Sequence, residues 1–122
     1  MTPQKKCVSL ETAKKLLAAG FPQDTERWFI PDKEQIGYGL FSTNLKKENG
    51  WIAAPNAQEI GIELPEVIHA EDGSYQFGQR KEHGAMTVFY WNPSGTKKAW
   101  SFLDEAEARA AAYLWLKERK LV

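Results

Sequence analysis

The chain has little of what secreted, membrane-bound or disulfide-stabilised proteins require. Cys7 is the only cysteine among 122 residues, so the chain cannot form an internal disulfide. The polar and basic segment over residues 1–6 precedes no apolar signal-type stretch, and no run approaches the ~18 apolar residues of a membrane helix. We therefore expect a cytoplasmic protein that does not associate with membranes.

An excess of charge of either sign is also absent. Sixteen Lys and Arg balance sixteen Asp and Glu, which disfavours a protein that coats nucleic acid through bulk electrostatics. Apolar residues make up 43% and charged residues 26%, which is typical of a globular chain and not of a disordered one. At this length one hydrophobic core is expected, so we predict a single domain over residues 1–122.

Residue patterns that carry known chemistry are missing as well. The two histidines, His69 and His83, have no Cys, Asp or Glu at zinc-ligand spacing. Cys7 stands before the first predicted helix without a nearby base and is expected to pack there. No glycine spacing matches a phosphate-binding loop. We predict no catalytic residues, no metal, no cofactor and no small-molecule substrate, and hence a protein that is not an enzyme.

The N-terminal half contains residue patterns that are typical of helix ends, strands and turns. Ser9 is a suitable N-cap for a helix to about Ala19, with Gly20 as the residue that ends it. The period-two apolar pattern over residues 27–42 predicts one or two strands. Asn49-Gly50 predicts a hairpin from which residues 51–53 return as a short strand.

A short second helix follows. Pro55 suits the first helical position, and Pro65 stops the helix after Ile60 and Leu64 have fallen on one face. Gly61 inside it lowers its intrinsic stability by ~1 kcal/mol relative to alanine.

The C-terminal half predicts an antiparallel meander of three aromatic strands over residues 75–81, 85–91 and 96–102. A three-residue loop at 93–95 places Val88 opposite Trp100. A three-residue loop at 82–84 places Phe77 opposite Phe89 and Tyr75 opposite Trp91. In this register the two faces of the sheet are both apolar and each needs a cover. One face carries Met86, Val88, Tyr90, Trp100 and Phe102; the other carries Tyr75, Phe77, Phe89 and Trp91.

The last predicted element is a helix that begins at the N-cap Asp104, with Glu107 placed to complete a capping box. A stripe of Ala108, Ala111, Ala112 and Trp115 should pack on the sheet. We therefore predict an α+β fold: N-terminal helix, short strands, short helix, antiparallel β-meander, and a C-terminal helix packed on the sheet.

Residues 7–11 with 14–16 and 20–23, residues 54–59, and residues 105–118 are three pieces of the chain that carry a family resemblance. They resemble small uncharacterised proteins encoded by phages and prophages of gut bacteria. This resemblance implies a phage or mobile-element protein of the cytoplasm, and it implies no particular activity.

A second resemblance covers residues 87–116 and is carried by the run 88–91, Gly95, the pair 97–98, Phe102, residues 104–106 and Ala110. This region resembles the three-stranded-sheet-plus-helix domains of plant AP2 factors and of integrase arm-binding domains. Those domains lay their sheet into a DNA groove. The resemblance implies phosphate contacts and one base or sugar contact, the latter from Trp91. The implied phosphate-contacting residues are Arg80, Lys81, Lys97 and Lys98.

Two binding functions remain open at this point. Fifteen aromatics, five of them Trp, exceed what a core of this size needs, which favours protein–protein interaction with a partner or as a homodimer. The alternative is nucleic-acid binding through the locally basic meander. An enzyme comes third, and a deep pocket lined by Cys7 or by a carboxylate with a shifted pKa would favour it.

Overall fold

The computed structural model describes residues 6–31, 37–42 and 50–122. The predicted α+β class is confirmed, with an N-terminal helix, a strand meander and a C-terminal helix. No helix in these ranges combines the length and apolarity that crossing a membrane requires. The elements are α1 (Leu10–Ala18), β1 (Arg27–Pro31), β2 (Tyr38–Ser42), β3 (Ile52–Ala53), α2 (Ala57–Ile62), β4 (Val67–Ala70), β5 (Gly73–Glu82), β6 (Ala85–Asn92), β7 (Gly95–Phe102) and α3 (Glu105–Glu118).

Helix α1 begins and ends where its sequence signals predict. The Ser9 side chain accepts a hydrogen bond from the backbone N–H of Thr12 at 3.3 Å. Gly20 follows the last turn with φ +86°, a conformation that residues with a Cβ rarely adopt. Ala13 and Leu16 are fully buried and fix the helix to the core.

The first sheet has three antiparallel strands in the order β2-β1-β3. Residues 27–42 therefore supply two strands. The predicted short strand after Gly50 is present as β3, but it pairs with β1, where Trp28 faces Ala53. Asn49 of the predicted hairpin lies outside the described residues. Trp28 and Trp51 pack with ring centroids 6.1 Å apart and form a small apolar cluster with Ala53.

The predicted start of α2 at Pro55 is wrong by two residues. The N-cap is Asn56, and the helix begins at Ala57. Asn56 Oδ1 accepts from the Glu59 N–H at 2.9 Å, and Glu59 Oε1 accepts from the Asn56 N–H at 3.0 Å. This reciprocal capping box satisfies two backbone donors that a helix start leaves unpaired. The other carboxylate oxygen of Glu59 accepts from the Glu26 N–H at 2.8 Å and links α2 to the start of β1.

The second sheet has four antiparallel strands in the order β4-β5-β6-β7. The predicted pairing of Val88 with Trp100 is confirmed. Nearer the turn the structure differs, since a bulge after Tyr90 places Asn92 opposite Gly95. The extra residue lies in β7 at Lys97, so the turn itself has only two central residues.

The predicted pairing between β5 and β6 is wrong by one residue. His83 and Gly84 form a two-residue turn with φ values of +48° and +79°, which is the type I′ geometry. Phe77 therefore faces Tyr90 and not Phe89. A shift of one residue exchanges the two faces of a strand, so the predicted assignment of β5 side chains is reversed.

This register concentrates the large apolar side chains on one face, and the prediction that two faces need covers is wrong. We call the face that α3 covers the helix-side face, and the opposite one the outer face. The helix-side face carries Ile68, Tyr75, Phe77, Val88, Tyr90 and Trp100; the outer face carries Val67, Gln76, Gly78, Phe89, Trp91 and Ala99.

Helix α3 is the central element, packed against α1, α2, β6 and β7. The predicted N-cap is confirmed, because Asp104 Oδ1 accepts from the Ala106 N–H at 2.9 Å. Glu107 does not complete a capping box there; its carboxylate accepts from the Ser9 N–H at 2.7 Å and from Thr12 Oγ1 at 2.6 Å. The predicted stripe needs correction at two positions, since Ala111 and Trp115 are only partly buried. The buried residues are Ala106, Ala108, Ala110, Ala112, Tyr113 and Leu116.

Candidate functional site

The five residues predicted to contact nucleic acid do not lie on one surface. Arg80 and Trp91 belong to the outer face. Lys81 and Lys98 stand opposite residues of the helix-side face, and Lys97 reaches the ring of Tyr75 on that same side. The sequence therefore identified basic strand positions correctly, but the register divides them between the two sides of the sheet.

Two of these basic side chains are already paired. Arg80 Nε lies 2.8 Å from Glu82 Oε1. Lys97 Nζ donates to Asp72 Oδ2 at 2.8 Å, and Tyr75 Oη donates to the same oxygen at 3.0 Å. Hydrogen bonds from Lys97 and then from Tyr75 lower the pKa of Asp72, and the hydrogen bond to Asp72 raises the pKa of Lys97.

On the outer face, Phe89 is partly shielded by its neighbours on β5. Its ring lies across Gly78, where a Cβ atom would overlap the ring atoms. The guanidinium of Arg80 lies over the same ring at 5.0 Å, a cation–π distance. Trp91, 39% exposed, borders a shallow depression of about 400 Å³ beside the β6–β7 turn.

The residues considered for catalysis or metal binding are not assembled into a reactive site. Burial raises the pKa of the Cys7 thiol, which disfavours the nucleophilic thiolate form. His69 Nδ1 shares a hydrogen bond of 2.9 Å with Ser74 Oγ, and His83 lies in the exposed turn. Over residues 6–31, 37–42 and 50–122 no three His, Cys, Asp or Glu side chains gather where they could hold a metal.

A surface cavity of about 760 Å³ lies between α2 and the N-terminal half of α3. We call it the α2–α3 cleft. Leu64, Phe77 and Ala106 are among its apolar lining residues. At its rim lie Ile62 and Leu103, whose exposed fractions of 76% and 87% are the highest of any large apolar residue in the described ranges.

A hydrogen-bonded network centred on Arg109 holds the walls of the α2–α3 cleft together. Arg109 Nη1 donates to the backbone carbonyl of Ala57 at 2.7 Å, which joins α3 to α2. Nε and Nη2 donate to Gln79 Oε1 at 3.1 and 2.9 Å, which joins α3 to β5. Glu105 Oε1 lies 2.9 Å from both Arg109 Nη2 and Gln79 Nε2. The guanidinium charge is thus satisfied within the protein.

Gly61 permits the close approach of α2 to this network. A Cβ atom there would overlap the Arg109 guanidinium, so the glycine that weakens α2 also creates its contact with α3. The sequence predicted that Gly61 lowers the stability of α2, but not that it makes room for Arg109. The features that could have indicated this contact were a glycine in a short helix and a lone arginine in the alanine-rich stretch 106–112.

Comparison with protein-family models, with curated proteins and with solved structures finds no match to this chain.

Proposed function

We propose that this chain is a non-catalytic binding protein whose α2–α3 cleft receives apolar side chains of a protein partner. One observation carries the proposal: Ile62 and Leu103, the two most exposed large apolar residues of the described chain, stand together at the rim of one cleft. Full burial of such a side chain contributes roughly 1.5–3 kcal/mol, and exposed apolar groups beside a cavity are typical of interaction sites.

The construction of the walls supports the same function. Arg109, Gln79 and Glu105 satisfy one another, so the Arg109 charge in the wall does not call for an anionic ligand. Because these bonds join α2, α3 and β5, the cleft is formed before a partner arrives. Pre-organisation lowers the entropy cost of binding.

Nucleic-acid binding, the alternative, has weaker support. The proposed phosphate contacts lie on both sides of the sheet, and Arg80 and Lys97 are paired with Glu82 and Asp72. A phosphate backbone would have to compete with these ion pairs, and the zero net charge provides no long-range attraction.

We place this binding function in an accessory protein of a phage or prophage that acts in the bacterial cytoplasm. The lone cysteine supports a reducing compartment. The resemblance to small phage proteins, carried by residues 7–11, 14–16, 20–23, 54–59 and 105–118, supports the origin. Fractionation of bacteria that express the chain tests the location, since recovery with the membranes would contradict it.

The binding function is tested by selection of a displayed library of random peptides on the immobilised chain. Ile62→Ser and Leu103→Ser are each expected to weaken a selected peptide about tenfold, because each removes apolar area that the peptide buries. Titration calorimetry measures the affinities. Both residues are mostly exposed, so the free energy of unfolding should change by only about 0.5 kcal/mol.

Phe41→Ser is the matched control, because Phe41 is 52% exposed on β2 and does not line the cleft. It should leave the peptide affinity unchanged. The proposal is overturned if selection yields no binding peptide, or if the affinity survives both cleft substitutions. Loss of affinity in Trp91→Ser alone would move the site to the outer face.

A further inference from the structure

Strand β5 extends beyond its neighbour β4, and next to the α2–α3 cleft it has an edge with which no other strand of the described residues pairs. Strand β4 pairs with β5 only from Gly73 to Gln76. One more bond follows, in which the Phe77 N–H donates to the carbonyl of Glu66 at 2.8 Å. From Gly78 to Glu82, β5 pairs with β6 alone.

The orientation of the backbone along this open edge follows from the Phe77 bond. In an antiparallel strand the N–H and C=O groups of alternate residues point to the same side. The Phe77 N–H points away from β6, so the backbone groups of Gln79 and Lys81 also point away from β6. No hydrogen bond within the described ranges occupies the N–H groups of Gln79 and Lys81.

This edge and the cleft are contiguous. Phe77, the last β5 residue with a neighbour on both sides, lines the cleft. The Gln79 side chain donates to Glu105 of the cleft wall at 2.9 Å. A chain laid along the edge would therefore alternate its side chains between the cleft and the outer face, because successive strand side chains point to opposite faces.

We infer that the partner binds as an extended peptide segment that adds a strand to the open edge of β5. This inference rests on the proposed function and specifies its ligand class: an extended segment with apolar residues at alternate positions, which enter the cleft beside Ile62 and Leu103. Strand addition of this kind takes affinity from main-chain hydrogen bonds and specificity from pockets for alternate side chains.

Charge defines the partner further. Arg80 is paired with Glu82, whereas Lys81 has no ion-pair partner in the described ranges. An acidic residue opposite Lys81 would complete a cross-strand pair. Antiparallel pairing of this edge with a second copy centred on Lys81 would place Lys81 opposite its own counterpart, and like charges directly opposite each other are destabilising. An acidic segment of a different protein avoids this repulsion and is the occupant that the charge of this edge favours.

Amide hydrogen exchange on the complex with a selected peptide tests the geometry directly. The amides of Gln79 and Lys81 should become protected on binding, whereas the Arg80 amide, which points toward β6, should change little. Equal exchange at Gln79 and Lys81 with and without bound peptide would overturn strand addition.

Lys81→Pro tests the same geometry by mutation. Proline removes an N–H that the fold does not use, a position where an edge strand tolerates it. We expect peptide affinity to fall on the order of tenfold or more, because one hydrogen bond is lost and the ring blocks the edge. Lys81→Ala keeps the backbone donor and separates the effect of the charge.

Methylation of the peptide backbone completes the test without any change to the protein. Two peptides are compared, each N-methylated at every second residue, one at the odd positions and one at the even positions. Only one of these sets of N–H groups faces β5, so one peptide should lose binding and the other should keep it. If both peptides bind, or if neither binds, strand addition is overturned. If strand addition fails but peptide binding still depends on Ile62 and Leu103, the proposed function of the cleft stands. If peptide binding does not depend on these two residues, strand addition and the proposed function both fail. Protection of Gln79 that rises with protein concentration in the absence of peptide would indicate self-association and overturn the assignment of the partner.

Discussion

The helix-side face and the outer face of the four-stranded sheet differ in what covers them, although β6 contributes to both. Val88 and Tyr90 have no exposed surface beneath α3. Phe89 and Trp91, the residues that alternate with them, are not packed against the main core. The aromatic content of a strand therefore does not reveal which side chains form the core. The register with the neighbouring strand decides it.

No layer of the described residues packs on the outer face, and local contacts shield part of it instead. Phe89 lies across Gly78 and under Arg80, and Thr87 shares a hydrogen bond of 2.8 Å with Ser101. Gly78, the Arg80 cation and the Thr87–Ser101 hydroxyl pair thus shield part of a face against which no described helix packs.

Three predictions test the difference between the helix-side face and the outer face, from the largest expected effect to the smallest.

Val88→Asp should cause the largest loss of stability. The substitution removes a fully buried apolar side chain and places a carboxylate without a partner beneath α3, which we expect to cost about 4 kcal/mol or more. Ala99→Asp is the control on the exposed outer face and should cost no more than ~1 kcal/mol. Denaturant unfolding measures both, and similar values for the two variants would contradict the assignment of the faces.

Gly78→Ala should be destabilising even though alanine is usually better than glycine in a strand. The added Cβ overlaps the Phe89 ring, and we expect a loss of about 1 kcal/mol from the forced repacking. In a Phe89→Ala background the same substitution should be neutral or stabilising. A double-mutant cycle by denaturant unfolding measures the coupling, and additive effects would show that the two residues do not interact.

Asp72→Asn should have the smallest effect, a slight loss of stability at neutral pH that disappears at acid pH. The folded state lowers the pKa of Asp72 below its ordinary value of 3.8, so the carboxylate stabilises the fold above that value and the contribution is lost as the pH falls through the lowered pKa. The wild type should lose slightly more thermal stability on acidification than Asp72→Asn, and added salt should reduce the difference. An identical loss in both proteins would indicate that the Lys97 pair contributes nothing to stability.

Local signals in the sequence predicted the elements well. The caps at Ser9 and Asp104 depend on residues a few positions apart, and each lies where it was expected. The turn at Pro93 is also present, but it has two central residues and not three, because the extra residue lies in β7. The pairing of β5 with β6 was missed because His83 takes a positive φ, which permits a two-residue turn where three residues were expected. A single residue in a turn thus reversed the predicted faces of an entire strand.

The α2–α3 cleft could not be predicted in the same way. Its walls come from α2, from Phe77 and from residues 103–109, which only the tertiary fold brings together. The exposure of Ile62 and Leu103 is a property of the folded surface, because apolar residues at such positions are usually expected in the core. The basic strand residues, in contrast, were visible in the sequence but were divided by the register.

The hydrogen bonds from Ser9 and Thr12 to Glu107 have a consequence for protein synthesis. The carboxylate that completes the start of α1 belongs to a residue translated 95 positions after Thr12. An isolated helix of nine residues is marginal in water. While the ribosome is still adding the second sheet, α1 therefore lacks both its acidic cap and the α3 surface on which it packs. We expect this helix to become stable only after α3 has left the exit tunnel.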